Sequence, residues 1–296
     1  MISRAWRMVL FFYIPQLLTP LLYIVYMLHA SYADFLKIVV SLFSLSVAVL
    51  INDFYDSRFE KNVRKPGLFL LLAVLGFGVV YNFFIGQKYF LLYLAFLGIS
   101  LIYSAPPVRL KSRNILGVLS VVLIETIIPL LMIFNYFQVF TVSCLYFLLF
   151  YFFLNLSSIV AHQIDDYNSD LKSKTKTFAV LIGREKSTKF LAVSKIICLI
   201  FSIPVFFYLL ILPKLDYFLI LCTIGFFIYK KDFYVYFTRV VYSGAVPLFI
   251  SGLMLYNNPV VFAVVLFLEK EFIIHSVRVL VCFLFDSEIL EIKPPY

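Results

Sequence analysis

The chain has 296 residues, of which 63% are hydrophobic and only 14% charged, against about 45–50% and 25% in globular proteins. That composition excludes a soluble enzyme and leaves no room for a separate water-soluble domain of any size. The 25 Lys and Arg against 16 Asp and Glu give a net charge of +9; with no basic stripe long enough to track a duplex, this excess reads as a topology signal and not as a nucleic-acid footprint.

A membrane helix takes about 20 apolar residues. Apolar runs at 8–29, 35–51, 67–86, 89–104, 115–137, 139–161, 190–212, 216–229 and 240–256 predict an all-α, polytopic membrane bundle of about nine transmembrane helices. A further run from 259 to about 285 is interrupted by Glu269, Lys270, Glu271 and Arg278, which leaves a tenth, partly interfacial element open. Residues 1–256 are therefore expected to form one membrane domain, with 257–296 as an apolar extension. Arg4 and Arg7 precede the first run, but no small-residue cleavage site follows, so that run reads as a helix that stays in the protein and not as a signal peptide.

Cations sort the loops. Arg4 and Arg7 at the N-terminus, and the Lys and Arg residues of the loops at 52–66, 105–114, 162–189 and 230–239, alternate with loops whose only cations are Lys37, Lys88 and Lys214. The positive-inside rule places the N-terminus and the basic loops in the cytoplasm. Cys144, Cys198, Cys222 and Cys282 stand singly in apolar runs. They read as small buried hydrophobes, neither disulfides nor a zinc site.

The acidic residues concentrate on that same membrane face. Asn52-Asp53-Phe54-Tyr55-Asp56-Ser57-Arg58-Phe59-Glu60 closes the second run, and a helix continued through it puts Asn52, Asp56 and Glu60 on one face, with Asp53 close by. Like charges so spaced repel, so a cation is expected among them; a helix end fringed with solvated charge, neutralised by Arg58 and Lys61, is the alternative. His162-Gln163-Ile164-Asp165-Asp166-Tyr167-Asn168-Ser169-Asp170 closes the sixth run, with His162, Asp166 and Asp170 at four-residue spacing. Both clusters sit at the cytoplasmic end of an even-numbered helix, where they can converge at one depth. Carboxylate oxygens without a Cys/His set suit a hard cation, and magnesium commonly binds through one or two carboxylates plus substrate phosphates.

Between the two clusters lies Tyr103-Ser104-Ala105-Pro106-Pro107-Val108-Arg109-Leu110-Lys111. The prolines are expected to stop the helix at Ser104. Arg109 and Lys111 then stand near the membrane surface on the side of the carboxylates, either as a topology anchor or as cations for phosphate oxygens.

These three ordered segments resemble the hallmarks of the UbiA-type membrane prenyltransferase superfamily. Asn52, Asp53 and Asp56 match its first Asp-rich motif, with Glu60 where a third Asp is usual; Tyr103, Pro106, Pro107, Arg109 and Lys111 match its middle segment. Asp166 and Asp170 match the second motif, followed by Thr177 and Gly183. Gln163 and Lys174 depart from it, standing where many relatives have Asp and Gly. The resemblance covers residues 1 to about 256. It implies an integral membrane enzyme, a prenyl diphosphate donor, a lipophilic or aromatic acceptor such as a quinone precursor, and magnesium held by Asp53, Asp56, Asp166 and Asp170. By the same resemblance Asn52, Arg109 and Lys111 bind substrate, and Arg109, Lys111 and Tyr103 serve the chemistry. Magnesium and the two cations would stabilise the charge that grows on the departing diphosphate.

The competing class is a cation-coupled transporter built on the two acidic clusters. Functional carboxylates in transporters commonly lie near the bilayer midplane in broken helices, whereas these lie at helix ends on one side. Glu125 falls in mid-helix near Thr126 and Pro129, where a charge costs about 2.5–3.5 kcal/mol on insertion scales. It reads either as cavity lining or as a neutral, hydrogen-bonded Glu.

Overall fold

A computed structural model describes residues 14–57, 67–172, 175–209, 246–254 and 259–268. Every regular element among the described residues is a helix, as the apolar periodicity predicts, and six of the helical segments are long and apolar enough to cross a membrane. Glu60, the 216–229 run, Cys222, Cys282 and the interrupted stretch after 268 lie outside the described residues.

The chain divides into two compact units, residues 1–39 with 236–296 and residues 40–235. In the first unit, α1 (Ile14–Met27) is mostly apolar and buried from Leu17 to Val25, with Thr19 enclosed among the apolar side chains. Within that unit the helices Val246–Leu253 and Pro259–Leu268 pack against it.

α2 (Tyr32–Ser44) begins in the first unit and ends in the second, where a two-residue break, Leu45 and Ser46, separates it from α3 (Val47–Asp56). The join is tight because Leu45 and Ser46 donate their N–H groups three residues back, to Leu42 and Phe43, while the Ser44 hydroxyl donates to the Ser41 carbonyl at 2.6 Å. Serine hydroxyls that bond back to the preceding turn commonly bend a helix in this way. α4 (Leu68–Ile85) and α5 (Gln87–Ser104) follow, joined by Gly86 alone. Its φ of 155° lies where an L side chain is strained. α4 is only 11% buried, and Phe69, Phe83 and Phe84 are exposed on it, as befits a lipid-facing helix.

Polar side chains tie these helices together. The Ser41 hydroxyl donates to Asn82 Oδ1 at 2.6 Å, the Tyr89 hydroxyl donates to Ser41 at 2.8 Å, and the Asn82 amide donates to Ser44 and to the Gly78 carbonyl. Inside a membrane such interhelical bonds average about 0.6 kcal/mol each. They fix register more than they stabilise.

The next span runs through α6 (Asn114–Val122), a π-helical turn (Leu123–Ile127) and α7 (Ile128–Tyr136). Pro129 explains the irregular turn: it has no N–H to return to the carbonyl of Glu125, so the regular ladder cannot pass through this point. α8 (Val142–Asp165) is followed by the short α9 (Tyr167–Lys172) and α10 (Phe178–Ile182), and α11 (Arg184–Leu209) returns. α8 and α11 pair closely, with the Ser157 and Ser194 hydroxyls 2.8 Å apart and the Phe153 and Phe201 rings stacked at 5.8 Å. Val118, Val122, Leu156, Val160 and Phe178 form a buried cluster that clamps α6, α8 and α10 together. That clamp holds the C-terminal end of α8 beside the N-terminal end of α6.

Candidate functional site

The ends of α3, α5 and α8 and the start of α6 carry the residues singled out in the sequence. α3 ends at Asp56, and Asn52 one turn earlier donates to Asp56 Oδ2 at 2.9 Å, so the two share a face as the four-residue spacing predicts. Asp56 is nevertheless buried, with a side chain only 4% exposed. A carboxylate cannot stay charged there without a partner. The partners arrive from the segment after α5.

That helix ends at Ser104 before the two prolines, as expected, and its Ser104 hydroxyl donates to Asn52 Oδ1 at 3.4 Å. The following loop folds back over α3. Arg109 adopts a left-handed φ of 39° and opens a 3-10 turn, Leu110–Ser112. Its Nη2 donates to Asp56 Oδ1 at 3.4 Å, and Lys111 Nζ donates to Asp56 Oδ2 at 2.5 Å. Both cations are about a quarter exposed, at 26% and 27%, so they face solvent on one side and the buried carboxylate on the other. The cation expected among the acids is thus supplied by the middle segment.

Two residues that sequence reasoning passed over hold the loop down. Arg113 Nε donates to the Val108 carbonyl at 2.6 Å, which commits the third cation of the segment to the loop itself. Gly117 on α6 lies directly beneath it; a Cβ there would stand 2.6 Å from the Leu110 carbonyl oxygen. The signal was present as a glycine near the start of a predicted helix, but only the packing shows what approaches it.

The second motif is more open. α8 stops at Asp165 and α9 begins at Tyr167, with Asp166 at the turn, yet the backbone bonds from Asp166 to His162 and from Asp170 to Asp166 keep four-residue spacing. His162, Asp166 and Asp170 therefore remain on one side. His162 Nε2 lies 3.4 Å from Asp166 Oδ2, with side chains 79% and 51% exposed. Asp170 is more enclosed and accepts the Thr177 hydroxyl at 3.1 Å. Burial pushes its carboxyl above the usual carboxylate range; Asp166 adds to the shift, while the Thr177 bond, His162 and Lys111 oppose it. Lys111 is thereby placed within electrostatic reach of the second motif while it is bonded to the first. Gln163 accepts the Ala179 N–H at 3.4 Å near the start of α10, which gives the departure from the usual Asp a structural use.

Deeper in the bundle, Tyr103 lies within electrostatic reach of Glu125, Asp56 and Arg109. Glu125 sits on the π turn and accepts a hydrogen bond from Asn155 on α8 at 3.2 Å; Asn155 also donates to the Thr126 hydroxyl at 2.7 Å. No motif pointed to Asn155. Among the described residues no three His, Cys, Asp or Glu side chains form a preformed metal cage. The donors fit magnesium in another way, as separate carboxylates at Asp53 and Asp56 and at Asp166 and Asp170 that need phosphate oxygens to complete a shell. Cys144 and Cys198 are buried, as expected.

Comparison with known proteins agrees with this architecture. Residues 17–251 match the UbiA prenyltransferase family. Among solved structures, a UbiA homologue from Archaeoglobus fulgidus bound to GPP and Mg2+ matches at 20% identity and a TM-score of 0.56, covering 88% of this chain and 99% of its own. The same homologue bound to DMAPP and Mg2+ matches at 17% identity and a TM-score of 0.51, covering 92% and 99%. At such identities the likeness is one of fold. No curated protein matches the chain.

Proposed function

The chain belongs to the UbiA prenyltransferase family, and on that premise we propose that it transfers the prenyl group of an allylic prenyl diphosphate to an electron-rich lipophilic or aromatic acceptor, quinone precursors included. The observation that carries this reading is the position of Lys111, bonded to the buried Asp56 of one motif and in electrostatic reach of Asp170 in the other. A site that sets a lysine between two sets of carboxylates, with Arg109 beside it, suits a metal-bound polyanion. The archaeal homologue bound to GPP or DMAPP with Mg2+ supports the same donor class.

Asp53 and Asp56 on one side, and Asp166 and Asp170 on the other, would hold magnesium. When bound, magnesium supplies charge neutralisation to the leaving diphosphate. The chain's own groups do the rest. Arg109 and Lys111 bind phosphate oxygens through charged hydrogen bonds, each contributing about 1.5–3 kcal/mol. Asn52 and Ser104 hold Asp56 in place. Tyr103 stands between the charged rim and the apolar interior, and the aromatic-rich spans keep water from the allylic cation, whose charge attracts π-faces. The N-terminus and both motifs belong on the cytoplasmic side by the alternation of basic loops.

The test is diphosphate release from an allylic donor by purified protein, with and without chelator. Activity that disappears on chelation and returns with magnesium is expected. A protein that binds no prenyl diphosphate, or whose activity ignores both magnesium and substitution of the four aspartates, is a cation-coupled transporter or something else, and the prenyltransferase reading falls.

A further inference from the structure

Glu125 stands about three helical turns into its span, counted from Asn114 at 1.5 Å per residue. A carboxylate at that depth is costly, which makes an intramembrane acid a marker of function by default. Three observations say what this one faces. Its Oε2 is held by Asn155, a side chain sealed in the bundle at 1% exposure. Glu125 as a residue is only part-buried, whereas the amide that anchors it is sealed. Side chains on a helix lean toward its N-terminus; Glu125 leans toward the rim, Tyr103 leans inward from the end of α5, and the two come within electrostatic reach of each other beside Asp56 and Arg109.

Resting on the prenyltransferase reading, we propose that Glu125, positioned by Asn155 on the π turn, is the catalytic base that receives the acceptor's proton, and that the acceptor is a neutral hydroxyl-bearing compound and not a carboxylate. The acceptor's electron pair forms the new bond to C1 of the prenyl group. The bond from C1 to the diphosphate oxygen breaks, and its electron pair leaves with the diphosphate. The proton displaced from the acceptor passes to a Glu125 carboxylate oxygen. A fixed negative charge at this position attracts O–H donors and repels an anionic acceptor. Asn155 is a positioning residue. The Asp-rich motifs bind the donor at the rim, whereas Glu125 lies one layer below and serves the second substrate.

The experiment uses full-length protein in lipid nanodiscs, geranyl diphosphate with magnesium as donor, and two acceptors that differ only by a carboxylate, hydroquinone and gentisate. The parent is expected to prenylate hydroquinone at least about tenfold faster than gentisate. Glu125→Gln is expected to lower transfer to hydroquinone by about a hundredfold, the ordinary range for a lost general base. It should also narrow the discrimination against gentisate, while geranyl diphosphate with magnesium still raises the melting temperature as in the parent. Glu125→Asp, which keeps the charge but withdraws it, should lose transfer and keep the discrimination. Parental transfer rates in Glu125→Gln overturn the proposal, as does a parent that prefers gentisate or uses neither acceptor; the parent's preference needs no variant, so a misfolded substitution does not shelter it. A parent whose melting temperature ignores geranyl diphosphate and magnesium fails at the earlier step, and takes the donor reading and this proposal down together.

Discussion

The two acidic motifs look alike in sequence and behave differently in the fold. In the first, Asp56 is buried and both of its oxygens are engaged, by Arg109, Lys111 and Asn52. In the second, Asp166 is half-exposed beside an exposed His162, and Asp170 accepts the Thr177 hydroxyl. A carboxylate enclosed among cations is part of the framework as well as of the site, because removing it leaves charges without a partner. An open carboxylate can be changed with little harm to the fold. Aspartates that sequence pattern treats as equivalent therefore differ: Asp56 of the first motif gathers the cations in a buried setting, whereas Asp166 of the second is half-exposed.

Chelation is the largest lever on that contrast, because on the proposed reading both motifs lose their metal at once. It should reduce prenyl transfer by more than about a hundredfold, as expected when the leaving group departs as an unneutralised polyanion, and magnesium should restore it. Calcium-free, magnesium-free protein should melt at nearly its usual temperature in the absence of donor, because Asp56 already has its cations. A large melting shift on chelation alone would mean that the first motif depends on metal for its fold, and the contrast would be lost.

Asp56→Asn comes next and separates the motifs directly. It should destabilise the protein by about 2–3 kcal/mol, below the 3–5 kcal/mol of a fully buried broken pair because both cations reach solvent, and it should depress transfer strongly. Asp170→Asn should depress magnesium-dependent donor binding while changing stability by under about 0.5 kcal/mol. The sign follows from its raised carboxyl: the folded state favours the neutral form, so stability contributed by this group is greatest at low pH and is lost as pH rises through the folded value. An amide resembles the neutral form and should not destabilise at neutral pH. Thermal scans of both variants without ligand decide the matter, and equal losses in the two would erase the distinction.

Arg109→Ala and Lys111→Ala should each raise the donor concentration needed for half-maximal rate by about 1.5–3 kcal/mol in free-energy terms. Gly117→Ala should have a smaller and indirect effect, lifting the 105–113 loop from α6 and weakening donor use without touching either cation. A smaller loss in Gly117→Ala than in Lys111→Ala is the expected order, measured by the dependence of rate on geranyl diphosphate concentration. The smallest effect is that of His162→Ala, within about 0.5 kcal/mol in stability, since an exposed pair with Asp166 is worth little.

Much of this protein is legible from local pattern. Apolar runs about as long as a bilayer is thick predict the spans because each helix satisfies its own backbone in lipid without help from the rest of the chain. Prolines 106 and 107 mark the end of α5 for an equally local reason, the missing N–H and the clash with the preceding turn. Four-residue spacing places Asn52 beside Asp56 for the same reason, and the hydrogen bond between them agrees. Gly117, Arg113 and Asn155 carry no comparable mark, since their roles lie in what approaches them from another segment.

The sequence by itself determined the membrane class, the order of the spans, the three motifs and the family they resemble, because composition and periodicity act over a few residues at a time. The tertiary structure alone decided that Lys111 bonds to Asp56, 55 residues away, that Asn155 meets Glu125 across 30, and that the two acidic motifs stand in unlike environments. Charge pairing in a low-dielectric interior depends on distances of a few ångströms. Helix packing sets those distances, and spacing along the chain does not contain them.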